Sequence, residues 1–113
     1  MIRMKLLITI VQNDDVPALT DEIVRNGFSA TKFASTGGLL RHGSTTLLIG
    51  IDEKDMEKML SIIKQTCRER TIKMQDNLGL AEAGMSYRYQ SGYEVTVGGA
   101  TIFVLDVEQF LHL

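Results

Sequence analysis

The sequence predicts an α+β fold in which an antiparallel sheet carries two helices on one face. Three observations predict it. β-Prone runs alternate with two stretches of helical periodicity, the order along the chain is β-α-β-β-α-β with additions, and glycine pairs at Gly37-Gly38 and Gly98-Gly99 punctuate the strands.

The first run, Lys5 to Val11 ("KLLITIV"), is apolar at nearly every position, as a central strand requires. "NDDVPALTDEIVRNG" follows as an amphipathic helix. Asp14 or Asp15 is its N-cap, Pro17 lies in its first turn, Val16, Leu19, Ile23 and Val24 form its apolar stripe, and Gly27 is its C-cap. Phe28 to Phe33 and Thr45 to Ile51 are β-rich and predict a hairpin around the loop that contains Gly37-Gly38. Asp52 caps a second helix, "EKDMEKMLSIIKQTCRER", whose Met56, Met59, Leu60, Ile63 and Cys67 fall on one stripe. Methionines opposite a charged helix face read as core rather than as a binding surface. "TIKMQ" reads as a short strand and Asp76 to Gly92 as a long loop. "YEVTVGGATIFVLDV" reads as a strand, a turn or bulge at Gly98-Gly99 and a further strand, with "EQFLHL" as a short terminal helix. Two split β-α-β units of this kind make the ferredoxin-like arrangement. Leu47-Leu48-Ile49 and Ile102 to Leu105 are apolar at consecutive positions, so both sheet faces need cover, and a second copy of the chain is the simplest cover for the face without helices.

At 113 residues the chain is expected to form one domain over 1-113, and 44% apolar with 23% charged residues fits a globular protein. A net charge of −2 argues against nucleic-acid binding, which needs a clustered cationic surface. No apolar run approaches the roughly 20 residues of a membrane span, and the start lacks a leader pattern, so a cytoplasmic location is expected. Cys67 is the single cysteine, cannot form an internal disulfide, and reads as a core thiol. His42 and His112 have no companions at metal-site or triad spacing. Asp52, Glu53, Asp55 and Glu57 cluster at a helix start, where they offset the macrodipole without any catalytic role.

The hairpin loop is richer than a turn needs. "ATKFASTGGLLRHGSTTLLIG" (30–50) surrounds Gly37-Gly38 with hydroxyls and with Arg41. That surplus points to a ligand or a partner. An acylphosphatase-like hydrolase using Arg41 as an anion cradle is the alternative from another class. Such an enzyme wants its arginine in the loop after the first strand, and that loop here is Gln12-Asn13-Asp14-Asp15.

The same 30–50 stretch, Val11-Gln12, "IIKQTCRER" (62–70) and "YEVTVGGATIFVLDV" (93–107) together resemble the PII-like cyclic di-AMP receptors over nearly the whole chain. The segment Asp76 to Gly92 matches least, since the family has a proline- and glycine-rich stretch there. The resemblance implies a homotrimer of ferredoxin-like subunits that binds cyclic di-AMP in clefts between neighbouring subunits. It also implies no catalysis, no cofactor and no metal, with loops that reorder to signal to a downstream protein. It places Thr31, Gly38, Leu40, Gly50 and Phe103 on cleft-lining positions with identical residues and Ala30 beside them, where Thr31 and the Gly37-Gly38 amides suit a phosphodiester, Leu39, Leu40 and Phe103 suit an adenine face, and backbone groups near Gly50 suit its edge. Ser29, Leu39, Ser44 and His112 stand where the family has arginine, phenylalanine, asparagine and glutamine. These differences touch recognition more than fold, so ATP or another nucleotide is the alternative ligand.

Overall fold

Why the chain folds as it does is clearest at its centre, where Met4–Gln12 forms β1 between two antiparallel neighbours. In the computed structural model, residues 3–35, 43–74 and 93–113 are described. After β1 come a 3-10 turn (Asn13–Asp15), α1 (Val16–Arg25), β2 (Thr31–Ser35) and β3 (Ser44–Asp52). A second 3-10 turn (Glu53–Asp55), α2 (Met56–Cys67), β4 (Arg70–Met74), β5 (Tyr93–Val97) and β6 (Ala100–Asp106) complete the order. The main sheet runs β2-β3-β1-β6 and every pair in it is antiparallel, so β3 lies between β2 and β1, and β1 between β3 and β6. This is the ferredoxin-like topology, with β4 and β5 added as a separate two-stranded ribbon.

Alternation sets which face is buried. Leu7, Thr9 and Val11 of β1 and Thr45, Leu47, Ile49 and Ile51 of β3 point toward the helices and are buried. Leu19 and Ile23 of α1 and Met59, Ile62, Ile63 and Cys67 of α2 close over them. Each such aliphatic side chain contributes about 1.5–3 kcal/mol through burial. The opposite residues of β1, Leu6, Ile8 and Ile10, are only half-buried.

Several local expectations are corrected by the packing. Asp15 occupies the N-cap position of α1, but its side chain makes no capping hydrogen bond and is turned instead to Arg70. Asp52 does cap, accepting from the Lys54 N–H at 3.1 Å, but it caps the 3-10 turn that precedes α2. Val24 is 67% exposed and Leu60 37%, so Val24 lies off the α1 stripe, and on α2 the core position goes to Ile62. β2 starts at Thr31 rather than Phe28, because α1 ends in a Schellman closure. Gly27, at φ +85°, donates to the Val24 carbonyl and Phe28 to that of Ile23, at 2.9 and 3.0 Å. The last seven residues form no helix, since the segment is too short to nucleate without packing and Phe110, Leu111 and Leu113 are all exposed. The loop between β2 and β3 and the segment Asp76 to Gly92 lie outside the described residues.

Candidate functional site

The ladders align the sheet into cross-strand rows, and paired residues share a face. Thr31 of β2 is opposite Leu48 of β3, Leu48 is opposite Ile8 of β1, and Ile8 is opposite Phe103 of β6. One row on the face without helices therefore reads Thr31, Leu48, Ile8, Phe103. The next reads Gly50, Leu6, Leu105, and on the other side lie Ala34, Thr46, Ile10, Thr101. Phe103 is 55% exposed and Leu105 43%, so this face is an uncovered apolar surface edged by hydroxyls.

Thr31 and Phe103, both expected site residues, are brought onto one face but not together. Two strands separate them, a span of about 14 Å at ordinary strand spacing. Gly50 sits on the same face, exposed, in the middle of β3. Its φ is not in the left-handed region, and a Cβ there would meet only the Met4 Cε at 3.9 Å. Nothing among the described residues thus requires glycine, and a glycine inside a strand costs about 0.5–1 kcal/mol.

Ser29 and Ala30 precede β2, Ser29 exposed and Ala30 half-buried against the core. Ser44 opens β3 opposite Gln12, on the Gly50 face and four pairs beyond Leu48 along the ladder. His112 is exposed in the terminal segment, six residues past β6. Gly37, Gly38, Leu39 and Leu40, with Arg41 and His42, lie outside the described residues. Among the described residues no group of His, Cys, Asp and Glu could hold a metal ion, and no helix is long and apolar enough to cross a membrane.

A polar junction at the end of β1 was not anticipated. Asp15 is 4% exposed and accepts from Arg70 Nη2 at 2.8 Å, while Arg70 Nη1 donates to the Arg68 carbonyl at 3.1 Å. The Asp15 hydrogen bond raises the Arg70 pKa. Burial, with Asp15 nearby, pushes the Cys67 thiol up to about 11, so it is protonated at neutral pH. Gln12 Oε1 accepts from the Gly98 N–H at 2.7 Å, and Asn13 donates its N–H to the Gly43 carbonyl at 2.9 Å and accepts from the Thr45 hydroxyl. The sequence signal for this junction was the polar run Gln12 to Asp15 itself, whose partners are 30 to 86 residues away.

The chain aligns over its full length with a crystal structure of a functionally unknown protein from Pediococcus pentosaceus, at 35% identity and a TM-score of 0.79, and it covers the whole of that chain too. A family model described as "Cyclic-di-AMP receptor" matches residues 4–113, which takes in every strand and helix described above. The ferredoxin-like sheet, the uncovered face with Thr31, Gly50 and Phe103 on it, and that match agree, and the chain belongs to the cyclic-di-AMP receptor family.

Proposed function

We propose that this protein is a signalling receptor that binds cyclic di-AMP between neighbouring copies of the chain and catalyses no reaction. The observation that carries the reading is the cross-strand row that puts Thr31 and Phe103 on one face at opposite edges of the sheet. A hydroxyl suited to phosphate and an aromatic face suited to adenine then meet closely only when the β2 edge of one copy adjoins the β6 edge of another. Closed ring symmetry supplies such a contact, and a homotrimer also covers the apolar rows of Leu6, Ile8 and Leu105. Gly50 fits as the place where backbone must approach the ligand closely.

A hydrolase reading is disfavoured by the turn after β1. A phosphate cradle there wants an arginine and available amides, whereas Gln12, Asn13 and Asp15 are engaged with Gly98, Gly43, Thr45 and Arg70. The signal to a downstream protein passes through the loops that flank the site. Calorimetric titration with cyclic di-AMP, cyclic di-GMP, ATP and AMP in parallel tests the reading. Cyclic di-AMP is expected to bind most tightly. Preference for ATP would retain a sensor and change its ligand, and binding of none would leave only the fold.

A further inference from the structure

We propose that Gln12 and Asn13 are positioning residues of one clamp, which fixes Ser44 and couples it to the joint that carries the β4–β5 ribbon. The inference rests on the reading of Ser44 as a ligand-side residue and adds to it residues that touch no ligand.

Ser44 is held from three directions. Gln12 is its ladder partner, and its two chain neighbours, Gly43 and Thr45, are both bonded to Asn13, one through the backbone and one through the side chain. Gln12 also spends its side chain in the opposite direction, accepting from the Gly98 N–H. Gly98 and Gly99, at φ +89° and +88°, form the joint between β5 and β6, and the Gly99 N–H donates to the Cys67 carbonyl at the end of α2. A Cβ on Gly98 would press on the Arg68 carbonyl and lie 2.7 Å from Arg70 Nη1, so the joint is tightly packed. Two residues further along the same turn from Asn13, Asp15 holds Arg70 at the start of β4.

Four segments remote in sequence, 12–15, 43–45, 67–70 and 98–99, thus converge on one short turn. A purely structural junction would be served as well by apolar packing, because a carboxylate–guanidinium pair whose Arg70 side chain is 36% exposed adds little stability. Among the described residues Asp15 Oδ2 is buried with no hydrogen-bond partner, so the pair is not fully satisfied there. What the polar arrangement does provide is direction. Adjacent residues bond to opposite neighbours of β1, and displacement on the β6 side must be transmitted to the β3 side through one peptide unit. Energetic coupling between groups in one such network is the usual finding.

Hydrogen–deuterium exchange on the ligand-free full chain tests the coupling. Gln12→Ala removes the acceptor for Gly98 and is expected to raise exchange about threefold or more both at 98–100 and across the turn at 43–47. Gln12→Glu keeps a side-chain oxygen at that position and is expected to return both to the parent rate. Faster exchange at 98–100 with 43–47 unchanged would overturn the clamp. Titration with cyclic di-AMP tests the positioning role, with Gln12→Ala expected to bind about threefold to tenfold more weakly than the parent and Gln12→Glu like it. Equal affinities of parent and Gln12→Ala would overturn that role. A parent that bound no cyclic di-AMP would end the ligand reading and the positioning role with it, while the exchange comparison would still decide the coupling.

Discussion

Thr31 and Phe103 share one face and one cross-strand row of the sheet, and stand on its two opposite edges. A single copy therefore carries the hydroxyl and the aromatic ring at opposite edges of that face. In the proposed assembly, two copies joined edge to edge would offer both to one ligand. This relationship gives the first prediction. Phe103→Ala is expected to weaken cyclic di-AMP binding about fivefold to a hundredfold, since stacking of a base on an aromatic ring contributes about 1–3 kcal/mol. Phe103 is half exposed, so thermal stability of the isolated fold should change little. Calorimetry and a melting curve on the same sample separate the two effects.

Gly50 supplies a second test. A side chain there has room within the chain, so Gly50→Val is expected to fold as well as the parent or better. Binding of cyclic di-AMP should be lost. A valine variant that bound normally would show that nothing approaches this strand.

Ser29 is exposed just before β2, at the position where the resemblance described above implies an arginine. A charged hydrogen bond to a partly buried phosphate is worth about 1.5–3 kcal/mol, so Ser29→Arg is expected to tighten binding about tenfold to a hundredfold. The gain should shrink as salt rises. Titrations at two ionic strengths check both parts.

How much of this was legible in the sequence depends on range. β1 was visible because a central strand is apolar throughout, and α1 and α2 because their stripes and flanking Gly27 and Asp52 are local signals. The register that sets Thr31 against Leu48 and Ile8 against Phe103 is a long-range property and could not be read from either strand alone. Asp15 misled for the same reason. Its local chemistry says N-cap, and a guanidinium 55 residues away outcompetes the helix N–H groups for it. "EQFLHL" looked helical by composition, but a six-residue segment with no face to pack against has nothing to hold a helix together.

Cys67 and its surroundings give a prediction about reactivity. Burial holds the thiol near a pKa of about 11, above its ordinary 9.0, so the thiolate is stabilised less in the folded than in the unfolded chain. At pH 8 the folded protein should react with a thiol reagent about a hundredfold more slowly than the denatured one. Equal rates would mean that α2 opens readily at its end.

The Lys5–Asp106 pair bears on pH. Their hydrogen bond lowers the Asp106 pKa and raises that of Lys5. The Asp106 contribution is complete above its ordinary value of 3.8 and is lost as pH falls through its lowered value. The Lys5 contribution is complete below 10.5 and is lost as pH rises through its raised value. Lys5→Met should therefore lower stability across the range between these values and make no difference beyond either end; Asp106 is exposed, so the change in melting temperature should be small and diminish with salt.

Native mass spectrometry of the full chain with cyclic di-AMP addresses ligand and assembly in one experiment. The predicted species is three chains carrying up to three molecules of cyclic di-AMP, with the ligand retained at the trimer mass and absent from any monomer. A monomer that holds cyclic di-AMP by itself, or a trimer that holds none at saturating ligand, would contradict a site built from the Thr31 edge of one copy and the Phe103 edge of the next.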